Sequence, residues 1–239
     1  HQEKQEMRSS VMSEICYRNE FKHEISQKNK VILTSRLRKF LKHDENSVGN
    51  SYIIRSLYFD TIYDDAYWDK EDGRSYREKF RIRYYNNDAS FIRLEKKVKD
   101  GAVGYKQSAC ITKDMADQLI QKKYDCLADA NHPLLQEFYV KCKSQCMEPK
   151  VIITYEREAF AYGPGNTRIT LDFDMHASTQ VTSFFHDGRI GIREPGIECV
   201  LEVKFDNYLP GWIQSLVQTE ETNSTSHSKY VIGRHLNQI

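Results

Sequence analysis

Lys79-Phe80-Arg81-Ile82-Arg83-Tyr84-Tyr85 alternates strictly between fixed cations and large apolar residues. Successive side chains of a β-strand point to opposite faces, so Phe80, Ile82 and Tyr84 share one face and Lys79, Arg81 and Arg83 the other. The apolar face is ordinary core. Three like charges along the second face repel one another unless an anion or carboxylates stand between them. Taken alone, such a strand reads as a solvated sheet edge, where lysine discourages edge-to-edge pairing. The fold turns on whether the pattern recurs.

It recurs through the chain. Asn86-Asn87-Asp88 supplies a hairpin turn, and Phe91–Lys99 then sets Ile92, Leu94 and Val98 against Arg93, Glu95, Lys97 and Lys99. Beyond a turn at Asp100-Gly101, the segment Gly104–Ala109 carries Lys106. Upstream, Tyr17–Ile25 aligns Glu20, Lys22 and Glu24, and Tyr52–Asp60 reads as another strand. Downstream, Val151–Phe160 aligns Arg157 with Tyr155 and Ile153, while Thr167–Asp174 opposes Arg168, Thr170, Asp172 and Asp174 to Ile169, Leu171 and Phe173. Cys199–Asp206 opposes Glu202, Lys204 and Asp206 to Leu201, Val203 and Phe205.

Helical spacing predicts helices over Asn29–His43, from Thr112 as N-cap, from Pro133, over Trp212–Gln218 and from Lys229 to the end. Asn46–Asn50, the aromatic stretch from Asp60 to Gly73, and Thr219–Ser228 read as loops.

A half-exposed antiparallel sheet also alternates polar and apolar residues. Its wet face, however, normally balances its signs by cross-strand pairing, and here arginine and lysine outnumber the carboxylates Glu20, Glu95, Asp172 and Glu202. An antiparallel barrel, closed or nearly so and with helices outside its apolar face, turns this surplus inward. The expected class is therefore α+β, an antiparallel β-barrel around a basic lumen. Arginine forks in such a lumen suit phosphate. A phosphate chain brings Mn²⁺ or Mg²⁺, which takes only one or two protein carboxylates, and Glu202 suits that role with Glu20.

At 239 residues, 39% hydrophobic and 29% charged, the chain has room for one large core. Its net charge of +1 gives no overall basic field that would draw nucleic acid, so an anion site must arise from local segregation of charge. No apolar run approaches the roughly 18 residues of a membrane span, and His1–Ser10 lacks the apolar stretch of a signal peptide. Residues 1–14 read as a polar tail or a cloning remnant, and 15–239 as a single domain. The scattered cysteines read as reduced thiols of a cytoplasmic protein. Cys142 and Cys146, with His132 upstream, lack the second ligand pair of a structural zinc site.

The ordered segments Arg18-x-Glu20-x-Lys22, Ser56-Leu57-Tyr58-Phe59-Asp60-Thr61, Lys79-x-Arg81-x-Arg83-x-Tyr85 and Leu94-Glu95-x-Lys97 resemble the VTC domain. So do Tyr155-x-Arg157, Arg168-x-Thr170-x-Asp172 and Leu201-Glu202-x-Lys204. This is the vacuolar transporter chaperone type of polyphosphate polymerase, within the triphosphate tunnel metalloenzymes. The resemblance spans Tyr17 to Tyr230 and implies an eight-stranded antiparallel tunnel that binds ATP and inorganic polyphosphate or pyrophosphate. It assigns phosphate contacts to Lys22, Arg81, Arg83, Lys97, Arg157, Arg168 and Lys229, more loosely to Lys106, and the metal to Glu202. Lys79, Arg93 and Lys204 join as lumen cations on the alternation alone.

The implied reaction transfers the γ-phosphoryl group of ATP to the end of a polyphosphate chain. Arg81 and Arg83 would clamp the transferring group and Lys22 would neutralise charge beside it, with no general base because the acceptor oxygen is already anionic. Hydrolytic tunnel enzymes open on alternating glutamates, whereas this chain has Glu20-x-Lys22-x-Glu24, with lysine at the centre. That departure favours polymerase over triphosphatase. A triphosphatase and a non-catalytic polyphosphate-binding module remain the alternatives. RNA binding would need basic and aromatic residues in stacking order on one face, which the strands do not provide.

Overall fold

The computed structural model describes residues 19–44, 49–101, 103–219, 223–224 and 228–237. The expectations for the 1–14 tail, for Tyr17 and Arg18, and for most of the loops Asn46–Asn50 and Thr219–Ser228 fall outside the described residues. The chain runs β1 (Asn19–Ile25), α1 (Gln27–Phe40), β2 (Lys42–His43), β3 (Tyr52–Asp60), α2 (Asp65–Glu71) and β4 (Tyr76–Tyr85). It continues with β5 (Asp88–Asp100), β6 (Val103–Ile111), α3 (Lys113–Ile120), α4 (Pro133–Ser144), β7 (Glu148–Tyr162) and β8 (Thr167–Ser178). Last come β9 (Ile192–Arg193), β10 (Cys199–Phe205), α5 (Gly211–Val217), β11 (Asn223–Ser224) and α6 (Lys229–His235).

One antiparallel sheet takes in all the strands, in the order β11-β1-β10-β8-β7-β3-β4-β5-β6. Eight of these strands are long, and β2, β9 and β11 are two-residue additions to β7, β8 and β1. The sheet curls until side chains of β5 and β1, far apart in strand order, meet: Lys97 Nζ lies 3.7 Å from Glu20 Oε2. Among the described residues, no backbone pairing joins β6 to β1. The result is a curled half-barrel, with the predicted cationic face on its concave side.

The convex side carries the predicted apolar residues. Phe80, Ile82, Leu94, Leu57 and Ile152 pack under α3 and α4 through Leu119 and Phe138. Phe160, Leu171, Leu201 and Val203 pack under α1 and α5 through Leu33, Leu37 and Ile213. Each fully buried leucine contributes about 1.5–3 kcal/mol. Local signals place the helices: Thr112 Oγ1 accepts from Met115 N at 3.1 Å, Ser26 Oγ accepts from Asn29 N at 3.3 Å, and Pro133 opens α4. The 86–87 turn has positive φ at both asparagines, as a two-residue hairpin loop requires.

Two helix expectations change. The α1 helix stops at Phe40, and Lys42–His43 pairs with Phe160 and Ala161 of β7 instead of extending it. The aromatic stretch after Asp60 holds a helix, α2, where a loop was expected. Its start is fixed by Asp60, whose buried carboxylate accepts from the backbone N–H groups of Thr61, Ala66 and Tyr67. A carboxylate several residues before the helix does this capping, so the usual adjacent N-cap signal is missing.

The C-terminal helix α6 packs on the concave side. Tyr230 stacks on Tyr58 with ring centroids 5.3 Å apart and donates to Asp60 Oδ2 at 2.5 Å, while Arg234 forms a forked pair with Asp64 at 2.6 and 2.7 Å. Gly233 makes the approach possible, because a Cβ there would stand 2.2 Å from Ile153 Cδ1. Gly233→Ala is expected to lower stability by about 1–3 kcal/mol, the usual cost of overpacking. Urea unfolding checks this, and an unchanged midpoint would show that α6 is not seated against β7.

Candidate functional site

Register across the sheet decides which charges meet. On β3, β4, β5 and β6, Tyr58, Arg81, Glu95 and Ser108 stand abreast. Arg81 places Nε 2.8 Å and Nη2 2.7 Å from Glu95 Oε2, and its Nη1 donates to Tyr58 Oη at 3.0 Å. Lys106 Nζ reaches the other Glu95 oxygen at 3.0 Å. Arg83 donates to Ser56 Oγ at 2.8 Å and to Tyr155 Oη at 3.3 Å. Glu95 is buried. Burial alone would raise its pKa, but Arg81, Arg83 and Lys106 overcome that and hold the carboxyl far below its usual range.

A second group forms on β7, β8 and α6. Arg157 and Asp172 are cross-strand partners, joined by a fork of 2.6 and 2.7 Å. Lys229 Nζ lies 2.7 Å from Asp172 Oδ2 and 4.7 Å above the Tyr155 ring. A third group forms on β1 and β10, where Lys22 stands opposite Glu202 and Glu20 opposite Lys204. Glu202 Oε1 is 2.5 Å from Lys204 Nζ, and its Oε2 is 3.9 Å from Arg157 Nη2. Glu20 Oε1 is 2.8 Å from Lys22 Nζ, and its Oε2 is 3.6 Å from Lys204. Burial opposes ionisation of Glu202, yet Lys204, Lys22, Arg157 and Lys229 pull its pKa well below the ordinary value.

The structure therefore brings Lys22, Arg81, Arg83, Lys97, Lys106, Arg157, Lys204, Lys229, Glu20 and Glu202 to one concave face. Lys79 joins them, donating to Ser228 Oγ at 2.9 Å. Two further predicted cations rest on other partners, Arg93 from its place opposite Arg83. Arg168 is held by Asp44 and by Tyr52 Oη at 2.9 Å, and Arg93 lies over the Phe91 ring at 4.6 Å. Sequence reasoning missed Tyr58 and Tyr155 as partners of the arginines, and it counted Asp172 as a carboxylate without giving it a place in the site. Tyr155 lies two residues before Arg157, the strand spacing that puts both on one face, so that signal was present.

Lysine crowding makes the face sensitive to alkali. Burial pushes Lys79 down to about 8, helped by Lys70, Arg77 and Lys22. Lys97 also falls to about 8, through burial and then Lys22. Tyr58 is likewise lowered to about 8, Arg81 and Arg83 outweighing the effect of burial. A bound polyanion favours the charged lysines and the neutral phenol, so affinity is present below about pH 8 and is lost as pH rises through that value. Tripolyphosphate titrations from about pH 7 to 9 should show this weakening, and Lys79→Met/Lys97→Met should flatten it. An equally steep profile in the double variant would remove these lysines from the explanation.

No helix among the described residues is long and apolar enough to cross a membrane. The arrangement suits an extended polyanion, because three charge groups, each centred on buried carboxylates, line one concavity. Among solved structures, a Hippeastrum protein named for adenylyl cyclase and reported to have a dominant triphosphatase activity is 14% identical. The match covers 92% of this chain and 95% of that one, with a TM-score of 0.55, and it speaks to the fold. A Bacillus halodurans protein named for adenylate cyclase is 17% identical, covering 78% of this chain and 81% of that one, with a TM-score of 0.46. No curated protein matches. The VTC domain family matches residues 17–237, the span that holds every strand and every charged residue placed above, and the chain belongs to that family.

Proposed function

We propose that this chain is an ATP-dependent polyphosphate polymerase, with Lys22, Arg81, Arg83 and Glu202 as its catalytic residues. Lys79, Arg93, Lys97, Lys106, Arg157, Arg168, Lys204 and Lys229 serve as phosphate contacts. The observation that carries this reading is the register of β1 on β10, which sets Lys22 opposite Glu202. A cation thus occupies the centre of the strand where a metal-loading hydrolase places a carboxylate, and it faces Glu202, the main carboxylate for the metal. Phosphoryl transfer to an anionic acceptor needs alignment and charge neutralisation more than proton removal. Arginine forks beside tyrosine hydroxyls supply both.

The donor set fits Mn²⁺ or Mg²⁺ at Glu202 with Glu20. Both carboxylates are hard oxygen donors sharing Lys204 as neighbour. Phosphate oxygens and water would complete the shell. The ion would supply neutralisation of phosphate charge. On binding, the substrate would displace Lys204 from Glu202 and take over the cations now paired with carboxylates.

A triphosphatase on the same face is the second reading, favoured by the activity reported for the Hippeastrum protein. Incubation of the purified chain with ATP and Mn²⁺, followed by gel analysis, separates the two. Long phosphate chains are expected. Free phosphate without polymer would overturn the polymerase reading, and no turnover at all would point to a binding module.

A further inference from the structure

The β4–β5–β6 ribbon carries its cations beyond the enclosed part of the face. Counting outward from the Arg81–Glu95 pair, the next row sets Lys79, Lys97 and Lys106 directly abreast, and the row after that sets Arg77 opposite Lys99. Like charges directly opposite one another on a sheet are destabilising. Behind Lys99 the row ends on Gly104, so no carboxylate stands in register there. Arg77 is half-buried and Lys99 exposed. Lys70 of α2, with Glu71 beside it, feels both Arg77 and Lys99. Lys97 and Lys106 of the nearer row reach Glu20 and Glu95, whereas the Arg77–Lys99 row has no acid in register, and a stable sheet that keeps such a row has a reason to hold it.

Resting on the polyphosphate reading above, we infer that Arg77 and Lys99 form an outer subsite for an inorganic polyphosphate chain. This subsite continues the lumen track past the reach of a nucleotide triphosphate. Residues six apart on one strand face span about 20 Å, so the Arg83-to-Arg77 line is a track of that length. A short phosphate held at Arg81 and Arg83 stays clear of Arg77, about 13 Å from Arg81. At about 0.15 M salt that separation exceeds the Debye length of about 8 Å. The outer row therefore acts on long chains and is screened from short ones.

The test compares tripolyphosphate, a polyphosphate of about 30 units and a single-stranded RNA of similar charge, each titrated at about 0.15 M salt into wild type and Arg77→Glu/Lys99→Glu. The reversal should weaken the long polyphosphate about tenfold, because each reversal trades a modest exposed attraction for a repulsion. Tripolyphosphate should change less than about twofold, which also shows that the variant is folded. An unchanged long-chain affinity overturns the outer subsite, and so does an equal loss for both phosphates. RNA bound as tightly as polyphosphate by wild type, and lost in the variant, overturns it in favour of a nucleic-acid surface. Wild type that binds neither phosphate sinks the polyphosphate reading and this inference together.

Discussion

Glu202→Gln is expected to cut metal-dependent turnover by a factor on the order of 10³, the several kcal/mol that a positioned divalent ion contributes to phosphoryl transfer. The glutamine keeps the shape and one acceptor oxygen, so the loss reports the charge. Without metal, tripolyphosphate should bind at least as tightly as to wild type, since Lys22, Lys204 and Arg157 lose their shared counter-ion. The free protein should melt lower, because removing one partner from a buried ionic group leaves uncompensated charge, typically about 3–5 kcal/mol. Saturating tripolyphosphate should recover much of that loss by supplying negative charge. Near wild-type turnover would remove the metal from Glu202, and loss of phosphate binding along with turnover would make the residue structural.

Arg81→Lys should lower turnover by about 10²–10³, the range found when one preorganised donor to a developing charge is removed. Lysine keeps the charge but loses the planar fork that now spans Glu95 and Tyr58. Glu95 retains Lys106 at 3.0 Å and Arg83 at 3.8 Å, so the variant should fold with a modest fall in melting temperature. Arg93→Ala, removing a half-buried side chain that stands opposite Arg83 and rests on Phe91, should cost turnover less than about threefold, the modest worth of one phosphate contact among several. Parallel kinetics with ATP and Mn²⁺ check both. Equal losses would mean that the face acts as a diffuse positive field, with no special position for Arg81.

Much of this was legible because alternation is local. Arg81 and Arg83 had to share a face once Phe80, Ile82 and Tyr84 were core, and the same argument placed Arg157, Lys22 and Lys97. The pairings were not legible. Glu95 serves both Arg81 and Lys106, and Asp172 serves both Arg157 and Lys229, only because of cross-strand register and the seat of α6, which depend on contacts distant in sequence. Helix α2 was missed for a similar reason: its capping comes from Asp60 at the end of β3, while Asp64 beside it takes a left-handed conformation at φ +59°. The concave position of α6 rests on the bare Cα of Gly233, and nothing in a seven-residue segment announces that.

The sheet's unclosed path has a consequence for traffic. A ring of strands joined all round admits a polymer only by its end, so a chain would have to be threaded. Here the side between β6 and the β11–β1 edge has no backbone ladder among the described residues, and an ion pair from Lys97 to Glu20 spans the space instead. If the chain binds polyphosphate as proposed, a long anion would exchange with that pair, carboxylate for phosphate, and be laid in along its length. Such a doorway would select by charge: the same lysine that latches it would greet what enters.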